Sequence, residues 1–355
     1  MRIALFVPNW IGDAVMATPA IRAIRERYPD AHLIGVGRSY VEGALEGAPW
    51  FNEWISLDPR GPRSHRPLNA IRSLRRQPID IAVLFPNSFR SALVARLAGC
   101  RQRIGFARYG RSLFLTDRLA PVCDSRGRIV PAPILLDYNR LAERAGARVG
   151  SLRLELATTP VDELHADRIW HRHDFRNRTD VVCLNPGAAF GSAKLWPAGY
   201  FAELARRLVD QRGSGVLVLC GPADRDLARR IEGMANRYEV RSLADEPVSL
   251  GLAKACVKRA DLLVTTDSGP RHFAAAFGTP VVTLFGPTYM AWTDTFFPHE
   301  VRMQKRVPCG PCQLRTCPLD HRCMTDLRPD EVFRTAVGLM ARCHVEARVG
   351  NARGA

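Results

Sequence analysis

The most pronounced shortage in this chain is lysine, since only four lysines occur among 51 basic residues and 355 residues in all. The arginine stretch between Asp58 and Asp80 contains no aromatic residues, which a surface that stacks nucleic-acid bases would require. No apolar run is long enough to cross a bilayer. The glycines after the first apolar run lack the spacing of the dinucleotide-binding fingerprint. These absences disfavour a membrane-spanning protein and a nicotinamide-dependent oxidoreductase.

The charge balance is strongly positive, at +16. Apolar and charged fractions of 46% and 24% are those of a globular protein. One stretch is one-sided, because no acid lies between Asp58 and Asp80 while six arginines do, at Arg60, Arg63, Arg66, Arg72, Arg75 and Arg76. Two interpretations stand: a surface for a polyanion such as nucleic acid, a phosphorylated glycolipid or an anionic membrane leaflet, or a solvated basic face.

Apolar runs alternate with amphipathic segments along the whole chain. The first half predicts strands at 2–7, 32–36, 81–85 and 102–106 and a helix at 11–27; after a polar linker at 155–177, the second half repeats the theme with strands at 180–184, 215–220, 238–242 and 261–265. Such alternation predicts doubly wound parallel sheets. We therefore expect an α/β protein with domains at 1–170 and 171–340, facing each other across a cleft, and a mobile tail at 341–355.

The strongest candidate for a ligand site is the segment Thr265–Ala274, which follows the apolar run 261–264 and opens a helix of small residues. Asp267, Ser268 and Gly269 thus fall where a strand ends and a helix begins. Free backbone N–H groups and the helix dipole attract anions at such a junction. His272 lies in the first turn of this helix, where it either contacts a ligand or bonds to the backbone.

A second candidate is the loop 185–197, which follows another predicted strand and contains Gly187 and Lys194. Glycine lets the backbone approach a ligand closely, and a lysine ammonium suits phosphate as a compact point charge. Lysine at this position, in a chain that uses arginine nearly everywhere, indicates that the shape of the cation matters. A glycine-rich loop between a strand and a helix also occurs without any ligand.

The first predicted strand ends in Asn9 and Trp10, and Asp13 follows in the first turn of the next helix. An acid in a first helical turn is favoured by the helix dipole alone. The same carboxylate, at the carboxyl end of a strand, is also placed to accept a proton from a hydroxyl.

Four of the ten cysteines form a cluster with the spacing C-x2-C-x4-C-x5-C, at Cys309, Cys312, Cys317 and Cys323 within a Pro- and Gly-rich loop at 308–323. Four thiolates could hold a structural zinc or an iron–sulfur cluster. They could equally remain reduced, or form disulfides in an oxidising compartment. The other six cysteines fit as small core residues.

Five segments together resemble the heptosyltransferases of glycosyltransferase family nine: 8–16, 86–93, 186–197, 266–274 and 284–288. The resemblance runs from Met1 to about Met340. The segment 86–93 and the Lys194 loop favour the enzymes that add the second heptose of the inner core of lipopolysaccharide over those that add the first.

The resemblance implies a GT-B architecture, with an N-terminal acceptor domain and a C-terminal nucleotide-sugar domain. The implied reaction transfers L-glycero-D-manno-heptose from ADP-heptose, with inversion, to the first heptose of the core. Asp13 would then be the general base, and Gly187, Lys194, Asp267, Ser268, Gly269 and His272 would bind the donor. Asn9, Trp10, Asn87, Arg60 and Arg63 are weaker candidates for binding the acceptor.

The resemblance further implies that catalysis requires no cofactor, so that zinc at the four-cysteine loop would be structural. The implied acceptor is a phosphorylated lipid A–core glycolipid, with the protein in the cytoplasm at the inner face of the cytoplasmic membrane and no nucleic-acid partner. Three alternatives remain open: a relative that uses another nucleotide sugar or adds the first heptose, a nucleic-acid-binding protein, and a catalytically silent binding module.

Overall fold

A computed structural model describes residues 1–126, 128 and 130–353, with side chains as far as residue 346. The chain forms two compact units. The first comprises Met1–Ala157 together with Ala291–Phe296, and the second comprises Thr158–Met290 together with the chain from Phe297 onward. Within the described residues, no helix is both long enough and apolar enough to span a membrane.

The first unit is built on a six-stranded parallel sheet in the order β3-β2-β1-β4-β5-β6. Its strands are β1 Arg2–Phe6, β2 His32–Gly37, β3 Glu53–Ser56, β4 Ile81–Leu84, β5 Gln102–Phe106 and β6 Asp117–Leu119. Its helices are α1 Ile11–Met16, α2 Thr18–Arg27, α3 Ser39–Leu45, α4 Pro67–Leu74, α5 Phe89–Leu97 and α6 Ile134–Arg144.

The second unit repeats this topology with the sheet order β12-β11-β10-β7-β8-β9, all parallel. Its strands are β7 Val181–Asn185, β8 Gly215–Val218, β9 Val240–Ser242, β10 Leu262–Thr266, β11 Val281–Phe285 and β12 Glu300–Gln304. Its helices are α7 Pro160–Arg172, α8 Ala198–Arg212, α9 Arg225–Ala235, α10 Leu250–Arg259, α11 Gly269–Phe277, α12 Arg322–Thr325 and α13 Pro329–Arg353.

The central strands of both sheets are buried along their whole length, as in β4, β7, β10 and β11. Helices cover both faces of an all-parallel sheet, so its strands consist of continuous rather than alternating apolar residues. This burial confirms the predicted α/β fold with two doubly wound sheets.

The boundary between the units lies earlier than residue 170, contrary to our expectation. Residues 160–172 within the expected polar linker form α7, which begins with Thr159 and Asp162 in a reciprocal capping box. Arg259 on α10 holds α7 in the second unit through ion pairs of 2.6 Å to Glu163 and 2.8 Å to Asp167. The polar residues that suggested a linker are therefore one charged face of a helix.

Three further details differ from the sequence-based expectations. The helix expected at 11–27 is divided at Ala17, since Pro19 occupies the first turn of α2 and Pro is tolerated only at the start of a helix. The edge strands β3, β6 and β12 were not predicted; they carry more exposed and polar residues than the central strands. The tail expected to be mobile from residue 341 is helical as far as Arg353, and residues 354–355 lie outside the described part of the chain; its mobility stays a prediction.

Candidate active site

The strand order of the second unit reverses between β7 and β10, which are hydrogen-bonded neighbours. Ligands of doubly wound sheets bind at the carboxyl ends of the strands at such a switch point. Asn185 ends β7 and Thr266 ends β10, so the two loops predicted from sequence, 185–197 and 265–274, start side by side. This adjacency brings Gly187, Lys194, Asp267, Ser268 and Gly269 to one edge of the sheet.

Asp267 and Lys194 form the charged centre of this edge. The Lys194 ammonium donates to the Asp267 carboxylate at 2.5 Å and to the Asp267 backbone carbonyl at 2.9 Å. The Thr288 hydroxyl donates to the same carboxylate at 2.8 Å. Both charged residues are buried, with 8% of Lys194 and 6% of Asp267 exposed, so the geometry of the pair is fixed from all sides.

Two opposing effects act on the pKa of Asp267. Burial raises it, whereas the positive charges of Lys194 and Arg271 and the hydrogen bonds from Lys194 and Thr288 lower it. The attraction to the cations prevails, and the pKa lies below its ordinary value. Asp267 is therefore ionised at neutral pH, and its carboxylate accepts the hydrogen bond from Lys194 in a buried position.

The network of polar contacts around Asp267 continues through Arg271, Glu300 and Thr283. The sequence analysis assigned none of these three residues to the site. Arg271 is buried and forms a two-pronged ion pair with Glu300, at 2.5 and 3.0 Å. Its guanidinium also lies 3.5 Å from the Asp267 carboxylate. The signal available in the sequence was the spacing of four between Asp267 and Arg271 on a helix start; the pairing with Glu300 depends on the contact between β11 and β12.

Neutral groups complete the junction of β7 with β10. The Asn185 amide donates to the Thr265 hydroxyl at 2.9 Å and to the Ser268 hydroxyl at 2.8 Å. Thr266 donates to the Gly187 carbonyl at 3.0 Å. A Cβ at Gly187 would lie 2.5 Å from the Asp224 carboxylate, so a larger residue would require the Asp224 side chain to move. Asn185 is a further residue that the sequence analysis did not identify.

His272 is buried in the first turn of α11, with 3% of its surface exposed. Its Nδ1 has no hydrogen-bond partner among the residues that the structure describes. Burial above all, together with the positive charge of Arg271, lowers the pKa of His272 to about 3. The imidazole is therefore neutral at physiological pH, and an unpaired buried ring nitrogen costs free energy until something bonds to it.

The first unit has its own switch point between β1 and β4. Asn9 and Trp10 follow β1, and Asn87 follows β4. Arg111, which is fully buried, donates to Asn87 Oδ1 at 2.9 Å, to the Phe106 carbonyl at 2.9 Å and to the Pro86 carbonyl. The carboxamide of Asn87 is thus oriented by a cation that the sequence analysis did not identify.

Arg111 forms no ion pair with a carboxylate in the described part of the chain. Burial first, and then the charge of Arg108, lowers its pKa to about 10, which leaves it charged at neutral pH. Trp10 is 47% exposed, and the Asn9 carbonyl accepts a hydrogen bond of 2.6 Å from Tyr40. These groups line an edge that is more open than its counterpart in the second unit.

Asp13 is half-buried in the first turn of α1. It follows β1 directly, at the switch point. Burial above all, and then the charges of Asp13 and Asp137, raises the pKa of the buried Tyr138 well above its usual value. Asp13 therefore lies within electrostatic reach of the Tyr138 phenol, in the same unit as Asn87.

The predicted basic stretch is exposed at all six arginines, Arg60 and Arg63 included. None of the six forms an ion pair within the described ranges. Arg63 lies in a short 3-10 turn just before α4, and Arg60 lies in the loop after β3. The structure thus places Arg60 and Arg63 after an edge strand of the sheet, apart from the switch-point strands that carry Asn9 and Asn87.

The four cysteines of the loop 308–323 form no disulfide in the described part of the chain, with Cys309 and Cys312 exposed and Cys323 buried at α12. Burial first, and then the other three thiols, raises the pKa of Cys323 to about 11, so the four groups are neighbours. Within the described side chains, however, they are not among the residues with metal-ligand spacing. A metal at this loop stays a prediction.

Two Rossmann-like units, with a buried lysine–carboxylate pair at one switch point, define a glycosyltransferase of GT-B architecture. The sequence profile of glycosyltransferase family 9 (heptosyltransferase) matches residues 68–322, and this chain belongs to that family. The resemblance drawn from the motifs is thereby confirmed.

Relatives match over most of the chain. Lipopolysaccharide heptosyltransferase 2 of Escherichia coli is 30% identical over 85% of this chain and 87% of its own length. Lipooligosaccharide heptosyltransferase 2 of Campylobacter jejuni is 28% identical over 97% of this chain and its entire length. The solved structure of E. coli ADP-heptose LPS heptosyltransferase II has a TM-score of 0.77 and 26% identity, covering 97% of this chain and 100% of that one.

Proposed function

We propose that this glycosyltransferase transfers heptose from ADP-heptose to the first heptose of the lipopolysaccharide inner core. The names of the relatives that match over most of the chain support this assignment. The observation that carries it is the buried Lys194–Asp267 pair at the switch point beside α11. It provides a fixed cation beside the amino end of α11, where a nucleotide diphosphate would bind.

In the proposed reaction, the acceptor hydroxyl oxygen attacks the anomeric carbon of the heptose while the bond from that carbon to the diphosphate oxygen breaks. Asp13 takes the hydroxyl proton, and ADP departs with the bonding electrons. General-base assistance of this kind contributes about 10²- to 10⁴-fold to rate. Because the hydroxyl oxygen attacks on the face opposite the leaving group, the product has inverted configuration at the anomeric carbon.

Lys194 would stabilise the departing diphosphate. An ammonium has three N–H donors, and two are directed at the carboxylate and carbonyl of Asp267. The third remains for a phosphate oxygen, in a position that the two existing bonds hold in advance. A preorganised charge of this kind stabilises the transition state without paying for reorganisation. A group of ADP-heptose that forms a hydrogen bond with His272 Nδ1 would remove the free-energy cost of leaving this nitrogen unpaired.

On the acceptor side, we assign the exposed arginines Arg60 and Arg63 to the phosphates of a lipid A–core glycolipid, and Asn87, held by Arg111, to a sugar hydroxyl. Asn9 and Trp10 would border the same acceptor. Peripheral contact with the inner face of the cytoplasmic membrane belongs to this proposal, because unpaired arginines attract anionic headgroups. Catalysis would need no resident cofactor, and zinc at the four-cysteine loop would brace the second unit.

The test is a donor panel of ADP-, GDP- and UDP-sugars with purified protein and two core acceptors, one that carries a single heptose and one that carries none. Products are analysed by mass spectrometry and NMR. We expect one heptose to be added from ADP-heptose alone, with inversion. Transfer only to an acceptor without heptose would identify an enzyme that adds the first residue. Transfer from another donor would overturn the proposed substrate. Thermal stabilisation by DNA but not by ADP, without any turnover, would favour a nucleic-acid-binding protein, and ADP binding without turnover a silent binding module.

A further inference from the structure

A pocket of about 510 Å³ lies at the amino ends of the strands of the second unit, opposite the edge that carries Lys194 and Asp267. Its lining includes residues that directly precede β10, β11 and β12, together with the end of the described side chains on α13. Three of its residues, His299, Cys343 and Glu346, bring metal-ligating atoms within 4.8 Å of one another. The proposed heptose transfer uses none of them.

The three ligand atoms lie close together. Cys343 Sγ is 3.5 Å from His299 Nδ1, and Glu346 Oε2 is 3.5 Å from the same nitrogen. In a tetrahedral zinc site with a Zn–S bond of about 2.3 Å and Zn–N and Zn–O bonds of about 2.0 Å, neighbouring ligand atoms are about 3.3–3.6 Å apart. The two separations from His299 match those of such a site, and all three ligand atoms lie within 4.8 Å of one another.

The backbone holds these side chains in place. The His299 carbonyl accepts a hydrogen bond of 3.0 Å from the Val281 N–H at the start of β11, and the Phe297 ring lies edge-on to the imidazole at 5.5 Å. Cys343 and Glu346 are three residues apart on α13, so they share one side of the helix. The site is thus formed by a strand end and a helix that pack in the same unit.

We propose that His299, Cys343 and Glu346 bind a zinc ion that fastens α13 to the amino edge of the sheet. Thiolate, imidazole and carboxylate together are a ligand set that zinc accepts, and hard cations such as Mg²⁺ prefer oxygen alone. The fourth position is filled by water or by His344, which also lines the pocket. On binding, the Cys343 thiol releases its proton to solvent, so affinity rises with pH.

The test is competition for zinc between the full-length protein and a chromophoric chelator. The variants are Cys343→Ser, His299→Gln and Glu346→Gln, and the matched control is Cys123→Ser, an exposed cysteine of the first unit. A Cys309→Ser/Cys312→Ser variant separates this site from the four-cysteine loop. We expect Cys343→Ser to lose one equivalent of zinc and Glu346→Gln to bind that equivalent at least tenfold more weakly, whereas the control and the loop variant retain it.

Cobalt provides a second readout, because the sulfur-to-cobalt charge-transfer band scales with the number of thiolate ligands. In the loop variant, we expect a band of one-thiolate intensity that disappears with Cys343→Ser. Glu346 is largely exposed, so Glu346→Gln should fold even if Cys343→Ser does not. Equal zinc affinity in Glu346→Gln, His299→Gln and the parent would overturn the proposal, as would a cobalt spectrum unaffected by Cys343→Ser.

Discussion

The two switch points of this protein have the same topology but opposite electrostatic designs. In the second unit, the buried cations Lys194 and Arg271 are matched by the buried carboxylates Asp267 and Glu300. In the first unit, the buried cation Arg111 is bonded to a side-chain amide and to backbone carbonyls. The strand order is identical in both.

The difference shows that strand order fixes where a ligand binds, whereas side-chain charge fixes how it is bound. A compensated network holds one cation rigidly, as a leaving diphosphate requires. An open edge with half-buried Asp13 suits a large acceptor that arrives from outside. Variants of both units test whether the second unit binds the donor and the first unit binds the acceptor.

The largest effect is expected for Asp13→Asn. If the first unit supplies the base, turnover falls by about 10²- to 10⁴-fold because the amide cannot accept the proton. Affinity for ADP-heptose, measured by calorimetry, stays as in the parent, since the donor groups lie in the second unit. Unchanged turnover would remove Asp13 from the mechanism. A parallel loss of affinity for ADP-heptose would contradict the assignment of donor binding to the second unit alone.

Asp267→Ala tests the compensated network of the second unit. It leaves Lys194 and Arg271 buried with one carboxylate fewer, and removing one partner of a buried ion pair costs about 3–5 kcal/mol. We expect the free energy of unfolding in urea to fall by that amount. The double variant Lys194→Met/Asp267→Leu, which removes both charges, should recover much of the loss; if it does not, the pair is not the source of the stability.

We expect the free energy of unfolding to depend on pH through His272. Because its folded pKa is about 3 and its unfolded pKa is about 6.5, the unfolded chain binds the proton more readily. The stabilising effect of the neutral ring is complete above pH 6.5 and is lost as the pH falls toward 3. At pH 5 the loss is about 2 kcal/mol. Urea unfolding of the parent and His272→Gln at pH 5 and 7 measures it, and identical pH dependence in both would contradict the prediction.

Arg111→Lys tests the uncompensated cation of the first unit. Lysine keeps the charge but lacks the fork of donors that reaches three oxygens. Leaving buried acceptors unpaired costs about 1–2 kcal/mol in unfolding free energy. We also expect a higher KM for the acceptor with an unchanged KM for ADP-heptose, since Asn87 loses its fixed orientation. Arg108→Lys, in the same loop, is the matched control, and an equal rise in both KM values would refute a role confined to the acceptor.

The smallest effect on stability is expected for Arg60→Ala/Arg63→Ala, within about 0.5 kcal/mol, because both side chains are exposed. The same variant should raise the KM for the phosphorylated acceptor and weaken its dependence on salt. Arg75→Ala/Arg76→Ala, at the far end of α4, provides the comparison. If both pairs of substitutions act alike, the effect comes from overall charge and not from contact with the acceptor.

The α/β class, the two sheets and most residues at the carboxyl ends of β7 and β10 could be predicted from the sequence. Continuous apolar runs indicate buried strands. Glycine, lysine and aspartate in the loops after those runs indicate which residues lie at the carboxyl ends of the strands. The edge strands β3, β6 and β12 escaped detection because half-exposed strands do not form such runs. The helix α7 escaped because the charges on it suggested a linker.

Which charges meet depends on how the strands and helices pack in three dimensions. Arg111 contacts Asn87 across 24 residues, Lys194 contacts Asp267 across 73, and Arg271 contacts Glu300 across 29. Such pairings follow from strand order, which no local pattern of residues encodes. A buried charge is tolerable only with partners, and which partners are available is settled when the strands assemble side by side.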